Sequence, residues 1–278
     1  MAAEFDTVWF LSDYGLADEF VGVVKAVIHA FAPSAKVIDL THQIAPYDTR
    51  AGALTLARCI QYLGPGVVVG IVDPGVGSDR RAVAVEVGED ANGAESAESR
   101  RVLIGPDNGL LAPAVAMAGG ARRAVALTNR DYQLDAPGPT FAGRDIFGPA
   151  AAHLCAGVDL ADLGEEVDPL SLIPGVVPLP RQEDERVAGE VLWVDRFGNA
   201  QLNVGPEELA SMGDHLTLRC HEQTRSAALV GSYSDLKAGQ IGLMVDAYGL
   251  MAVVQQRRSA AEELGLVAGD SVTVEAAV

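Results

Sequence analysis

Strand-sized apolar runs alternate with amphipathic helical segments over the first 72 residues, and this alternation limits the folds open to the chain. The apolar runs cover 7–11, 36–40 and 67–72, and the segments between them carry apolar residues at helical spacing. A βαβαβ order requires crossover connections, which give parallel strands with helices packed on the sheet. The sequence therefore predicts an N-terminal α/β domain whose mostly parallel sheet is flanked by helices.

The pattern changes after VPLPRQEDER at 177–186, which combines two prolines with a run of charges. Gly and Asp turns then separate short strand-like runs at 187–194, 215–220, 241–245, 251–255 and 271–274. These runs predict a smaller all-β domain, either a barrel or a sandwich. We predict an α/β domain at 1–178, a linker at 179–186 and a β domain at 187–278.

Composition disfavours several classes of protein. Hydrophobic residues make up 49% of the 278 residues, which is enough for a sizeable core. The formal net charge of −18 disfavours a nucleic-acid partner, because a polyanion would be repelled without a basic patch. The longest apolar runs are only strand-sized, and Glu4 and Asp6 stand where a signal peptide would need basic residues. We therefore predict a soluble, cytoplasmic protein that does not span a membrane.

Metal and nucleophile chemistry find little support in the sequence. The three cysteines are widely spaced and the five histidines show no ligand spacing, so no metal site is predicted. Neither a Gly-x-Ser-x-Gly motif nor a phosphate-binding glycine loop is present. The sequence therefore favours a nucleoside-type ligand without polyphosphate.

Polar turns that contain glycine follow several of the predicted strands. Asp13 lies in SDYG after the first strand, Asp73 in VDPGVGSDRR after the third, and Asn108 in PDNGLL after a later one. Because the carboxyl ends of parallel strands meet at one edge of a sheet, these side chains should converge. Each turn alone has a structural explanation: Asp13 could cap the next helix, and Arg80 could merely neutralise Asp73. Their recurrence at strand ends favours a ligand site.

The polar turns carry groups that suit a nucleoside. A carboxylate such as Asp13 can accept hydrogen bonds from a ribose diol, and Asn199 offers a donor and an acceptor to an adenine edge. Tyr47 and Tyr233 could stack on a flat ligand or close over a sugar. The alternative for each tyrosine is a packing role with its hydroxyl in water.

Five motifs point together to a known family. LSDYG with DEFVGVVKAVI, VDPGVGSDRR, PDNGLL, TFAGRDIFGPAAAHL and VDRFGN occur in this order and cover most of the chain. The set resembles the S-adenosyl-L-methionine hydrolases (adenosine-forming), which are related to the S-adenosyl-L-methionine-dependent fluorinase and chlorinase. The resemblance implies an N-terminal α/β domain, a C-terminal β domain and a homotrimer with active sites between neighbouring subunits. It also implies that water or hydroxide attacks the ribose C5′ of S-adenosyl-L-methionine, giving adenosine and L-methionine without a cofactor.

The resemblance further implies roles for individual residues. Asp73 and Arg80 match the pair that positions the attacking water, and Asp13 matches the ligand of the ribose diol. The other implied substrate-binding positions are Tyr47 beside ribose and methionine, Asn108, Phe141, Asp195 at the methionine amino group, Asn199 and Tyr233 at adenine, and Ala247 and Tyr248 near the methionine carboxylate. A serine is usual at the position of Ala247, so that contact would pass to the backbone.

Ala142 is the main departure from the family pattern. The hydrolases have TFHGRD where this chain has TFAGRD, so an Asp–Arg–His set lacks its third member and we expect impaired hydrolysis. Either an introduced substitution or a natural variant would explain Ala142, and the otherwise intact motif favours a substitution. Ala142 also keeps open a protein that binds S-adenosyl-L-methionine or adenosine without turnover. A halogenase is disfavoured, because the carboxylate of Asp73 would repel a halide.

Overall fold

A computed structural model of the chain describes residues 5–88, 100–183 and 186–277, which form two compact units divided between 176 and 177. The strands of the N-terminal unit are β1 Thr7–Ser12, β2 Lys36–Thr41, β3 Gly66–Ile71, β4 Ala82–Val87, β5 Arg101–Pro106, β6 Arg123–Ala126 and β7 Glu165–Val167. Its α-helices are α1 Phe20–Phe31, α2 Thr49–Ile60, α3 Ala112–Met117 and α4 Gly148–Cys155. A π-helical turn, Gly143–Phe147, leads directly into α4, and short 3₁₀ helices cover Arg130–Tyr132, Leu160–Leu163 and Pro169–Ser171.

The strands of this unit form one sheet in the order β2-β1-β3-β5-β4-β6-β7. The β2-β1-β3-β5 half is parallel, as the βαβαβ pattern predicts, and β4, β6 and β7 continue it antiparallel. Every residue of β3 is buried, as expected for a strand covered by helices on both faces. The predicted α/β sheet flanked by helices is confirmed.

Two apolar cores lie on opposite faces of the sheet. Val67 and Val69 belong to the core that includes α1 and α4, whereas Val68 belongs to the core with α2 and α3. This alternation follows from the two-residue period of a strand, and it fixes the strand register. In that register Ser12 pairs with Ile71, so β1 and β3 end at the same level of the sheet.

The strands of the C-terminal unit are β8 Arg181–Glu183, β9 Arg186–Val194, β10 Ala200–Leu202, β11 His215–Cys220, β12 Gln223–Leu229, β13 Ile241–Val245, β14 Met251–Gln255 and β15 Ser271–Ala276. Its α-helices are α5 Pro206–Leu209 and α6 Ala260–Leu264, and Tyr233–Asp235 is a 3₁₀ helix. Seven strands pair in the order β10-β14-β13-β12-β11-β15-β9, and pairing of β9 with β10 closes them into a barrel. The predicted all-β domain is confirmed, as a barrel. Strand β8 pairs with β9 and lies within the predicted linker, of which 184–185 fall outside the described residues.

Candidate active site

The turns after β1 and β3 lie beside each other at the carboxyl edge of the sheet. The N–H of Asp13 donates to the carbonyl of Ile71 at 3.1 Å, which ties the first turn to the last residue of β3. Asp73 follows two residues after Ile71 along the chain. The two carboxylates therefore belong to adjacent strand ends, which is where open α/β sheets place their ligands.

Asp73 and Arg80 form a shielded ion pair in this edge of the sheet. Nε of Arg80 lies 2.9 Å from each carboxylate oxygen of Asp73, and Nη2 donates to Oδ2. The two side chains are only 6% and 14% exposed. The Arg80 guanidinium also lies 5.3 Å from the centre of the Phe147 ring, which adds a cation–π contact. A carboxylate has about four lone-pair sites, so Asp73 retains the capacity to accept a hydrogen bond from a water.

Asp13 does not cap α1, because its carboxylate is used elsewhere. Its Oδ2 accepts a hydrogen bond from the N–H of Tyr47 at 2.9 Å. Burial raises the pKa of Asp13 above its ordinary value and the charge of Asp73 adds to this, while the Tyr47 N–H opposes it. Tyr47 itself has a positive φ of 69° and a side chain that is 74% exposed. The Tyr47 backbone thus positions Asp13, and its ring remains accessible to a ligand.

Asn108 has a structural role in the observed fold. Its Nδ2 donates to the carbonyl of Val72 at 2.9 Å, and its Oδ1 accepts from the N–H of Leu110 at 3.2 Å. The side chain therefore links the chain just beyond β3 to the turn after β5. These bonds use both ends of the amide to hold the edge of the sheet on which Asp73 lies.

Phe141 and Ala142 precede the π-helical turn. Phe141 packs edge-on against Tyr14 and Phe20, with ring centroids 5.8 and 5.1 Å apart. Ala142 is 5% exposed, and together with Arg80 it lines a cavity of about 860 Å³. The structure thus places position 142 and Arg80 on the same cavity.

Tyr14 packs against Phe141 at this site, but the sequence motifs did not identify it as a site residue. Its hydroxyl oxygen lies against the backbone of Gly143, where an added Cβ would be only 2.5 Å from that oxygen. This close approach explains the glycine of TFAGRD. Burial, with the negative charges of Asp13 and Asp73, raises the pKa of Tyr14. The available sequence signal was the position of Tyr14 directly after Asp13 in SDYG.

Buried polar side chains support the turn after β1. Ser12 Oγ lies 2.8 Å from His42 Nδ1, and His42 Nε2 lies 3.0 Å from Asp39 Oδ1. The N–H of Tyr14 donates to Ser12 Oγ at 3.2 Å, and the N–H of Gly15 donates to the carbonyl of His42 at 2.8 Å. Because both Ser12 and His42 are almost fully buried, these bonds hold the turn against the end of β2.

A second polar cluster lies in the C-terminal unit, at the turn between β9 and β10. Asp195 Oδ1 accepts from the N–H groups of Phe197 and Asn199 at 2.8 and 2.9 Å, and its Oδ2 accepts from Asn199 Nδ2 at 2.7 Å. Asn199 Nδ2 also lies 3.2 Å from the Tyr233 hydroxyl. These residues line a cavity of about 810 Å³ together with 255–259. The structure therefore brings Asp195, Asn199 and Tyr233 together.

The turn between β13 and β14 adjoins this cluster. Asp246 accepts hydrogen bonds from the N–H of Tyr248 at 2.8 Å and from Gln201 Nε2. Gln201 is 3% exposed and is also absent from the residues selected by sequence. Ala247 and Tyr248 are exposed on this turn. Burial raises the pKa of Tyr233, and the charges of Asp195 and Asp246 raise it further, so Asp246 lies within electrostatic reach of that hydroxyl.

In the described part of the chain, no three His, Cys, Asp or Glu side chains are grouped as metal ligands would be. No helix in the same residues is long and apolar enough to cross a membrane.

Comparison with known proteins places these two units in one family of enzymes. Residues 8–164 match the family model described as the SAM hydroxide adenosyltransferase N-terminal domain, and 189–273 match the model of its C-terminal domain. The chain belongs to this family, and the resemblance inferred from the five motifs is confirmed.

Three relatives illustrate the similarity. A protein of Salinispora tropica named (R)-S-adenosyl-L-methionine hydrolase is 41% identical, over 97% of this chain and 98% of its own. The solved structure of an uncharacterized conserved protein from Thermotoga maritima is 31% identical, with a TM-score of 0.85 over 96% of this chain and 99% of its own. A protein of an Actinoplanes species named fluorinase is 28% identical over 95% of this chain and 96% of its own.

Proposed function

We propose that this chain hydrolyses S-adenosyl-L-methionine to adenosine and L-methionine. The observation that carries the proposal is the shielded Asp73–Arg80 pair, which lies on the same edge of the sheet as Asp13. A relative that is 41% identical over nearly the full chain bears the name of such a hydrolase, which supports this reaction. Acidic groups at the site also suit a substrate that carries a positive sulfonium.

The reaction depends more on the positioning of the attacking water than on acid catalysis. The thioether that leaves a sulfonium carbon is neutral, so it needs no proton. The difficulty is to hold a water oxygen in line with the C5′–S bond. We propose that Asp73 orients this water and accepts a proton from it as the C5′–O bond forms and the C5′–S bond breaks. Arg80 keeps the carboxylate in place through its charge-assisted hydrogen bonds. The proton then passes to solvent.

Recognition of the rest of the substrate is divided between the two clusters. We propose that Asp13 accepts hydrogen bonds from the ribose diol, beside Tyr47. In the C-terminal unit, Asp195 would bind the methionine amino group, and Asn199 and Tyr233 would contact adenine. Asp195 and Asn199 already share a hydrogen bond of 2.7 Å, so their side chains are ordered before a ligand binds.

Product analysis tests this function. The chain is incubated with S-adenosyl-L-methionine, with and without chloride, and the nucleosides are separated by chromatography. We expect adenosine and L-methionine under both conditions. Substrate that binds but stays intact would instead indicate a binding protein, and a 5′-chloronucleoside that forms only with chloride would indicate a halogenase. Either result would contradict the proposal.

We expect full substrate binding to depend on assembly of the chain. Neither cluster alone offers all the groups that ribose, adenine and methionine need, so we propose a homotrimer in which neighbouring subunits complete each site. Sedimentation velocity across a dilution series, with binding measured at the same concentrations, checks this. A monomer that binds the substrate at full strength would contradict it.

We expect the acidic limb of the kcat/KM profile to lie above the ordinary range of an aspartate. The raised pKa of Asp13 means that it takes up a proton at a higher pH than an exposed aspartate does, and its ionised form accepts best from a ribose diol. Activity is therefore full above this pKa and is lost as the pH falls through it. Asp13→Asn should weaken binding and move the acidic limb to lower pH, where only protonation of the proton acceptor Asp73 remains, whereas Asp18→Asn, in an exposed loop, should leave the limb in place. An acidic limb that does not move in Asp13→Asn would overturn the assignment.

A further inference from the structure

We propose that Tyr14 is a third group that holds the attacking water, and that its hydroxyl supplies part of what an imidazole at position 142 would provide. This inference rests on the proposed hydrolysis and adds a residue to it. Tyr14 stands in the LSDYG motif, but the family resemblance gave it no role. The assignment comes from where the fold places the hydroxyl.

The Tyr14 hydroxyl is placed by contacts from three sides. The backbone of Tyr14 is held by Ser12 Oγ at 3.2 Å, and its ring packs against Phe20 and Phe141 with centroids 5.6 and 5.8 Å apart. The hydroxyl oxygen lies against the backbone of Gly143, the residue directly after Ala142. Because contacts hold the backbone, the ring and the hydroxyl of Tyr14, its side chain has little freedom to move. The hydroxyl therefore donates from a fixed position.

The charges of Asp73 and Arg80 act on the Tyr14 hydroxyl. Burial raises the pKa of Tyr14, the charges of Asp13 and Asp73 raise it further, and Arg80 opposes them weakly. The hydroxyl therefore remains protonated at neutral pH, and all three charged groups lie within electrostatic range of it. Tyr14 can thus act as a neutral hydrogen-bond donor at this edge of the sheet.

The Tyr14 hydroxyl and the Asp73 carboxylate can hold the same water, because one donates a hydrogen bond and the other accepts one. Asp73 accepts one proton of the water, and the Tyr14 hydroxyl donates to the water oxygen. The water thus donates one hydrogen bond and accepts another, which fixes its orientation and leaves one lone pair to face C5′. No proton leaves Tyr14 in this role.

The test is the variant Tyr14→Phe, which removes one oxygen and keeps the ring contacts. Tyr132→Phe is the matched control, because Tyr132 packs at the edge of the same core but its ring contacts His153. We expect Tyr14→Phe to lower kcat by about 10²-fold, the usual effect of removing one positioned donor, with KM unchanged. Tyr132→Phe should keep the kcat and KM of the parent. Thermal unfolding of both variants checks that the fold is intact.

A double-mutant cycle with Ala142→His tests the shared role. If the Tyr14 hydroxyl and an imidazole hold the same water, Tyr14→Phe should lower kcat less in the Ala142→His background than in the parent. Equal losses in the two backgrounds would overturn the shared role. A Tyr14→Phe variant with the parent kcat, or with a change confined to KM, would overturn the inference while hydrolysis by the parent stands. A parent that forms no adenosine would overturn the proposed function and this inference together.

Discussion

Asp73→Asn is expected to abolish hydrolysis while substrate binding persists. The amide has the shape of the carboxylate and can still accept a hydrogen bond from Arg80, but it cannot take a proton from water. Loss of the proton acceptor lowers a rate by about 10²–10⁴-fold in sites of this kind. Binding should weaken only modestly, because Asp13 and Asp195 remain as acidic groups for the cationic substrate. Single-turnover rates and calorimetric titration separate the two effects.

Asp107→Asn is the control for this variant. Asp107 follows the neighbouring strand β5, its side chain is 5% exposed, and its Oδ2 pairs with Arg81 Nε and Nη2, so it too is a shielded carboxylate paired with an arginine. It also accepts from the N–H of Ile173 at 2.8 Å, so its role is to hold a loop. We expect Asp107→Asn to lower the melting temperature and to keep kcat. An Asp73→Asn enzyme as fast as the parent would refute the role given to Asp73.

Ala142→His is expected to raise kcat by about one to three decades, the range that a positioned acid–base or polar group supplies. Position 142 lies with Arg80 on a cavity of about 860 Å³, so an imidazole there has room to extend into the space that Arg80 also lines. It could hydrogen-bond the attacking water and hold it toward C5′, which a methyl group cannot do. Substrate affinity should change little, because position 142 faces the nucleophile.

Ala142→Leu separates chemistry from volume. Leucine fills the space beside Arg80 without offering a nitrogen, so it should not raise kcat. Steady-state kinetics of the two variants, measured alongside the parent, give the comparison. An Ala142→His enzyme with unchanged kcat would contradict the assignment, and so would a gain confined to KM or one matched by Ala142→Leu.

Sequence periodicity located most of the strands. The C-terminal runs predicted at 215–220, 241–245 and 251–255 coincide with β11, β13 and β14, because each carries apolar residues that fill the barrel. Strand β12 escaped prediction. Its residues Thr224, Arg225 and Ser226 are exposed, so it has no apolar pattern, and it is held by backbone pairing to β11 and β13. Pairing depends on the neighbours that the fold supplies, which a local window of sequence does not contain.

The residues of the candidate site, like the strands, could be predicted from the sequence only in part. Asp73 and Arg80 are seven residues apart across one Gly/Pro turn, so the sequence by itself determined that they could meet. The strand-end position of Asp13 likewise followed from the order of strands and helices. The contact of Tyr14 with Gly143 joins two distant parts of the chain, and it exists only because α1 and α4 pack on one face of the sheet. Short sequence patterns determine local chain geometry, whereas contacts between distant segments depend on packing. Only the tertiary structure therefore decided which residues lie beside Ala142.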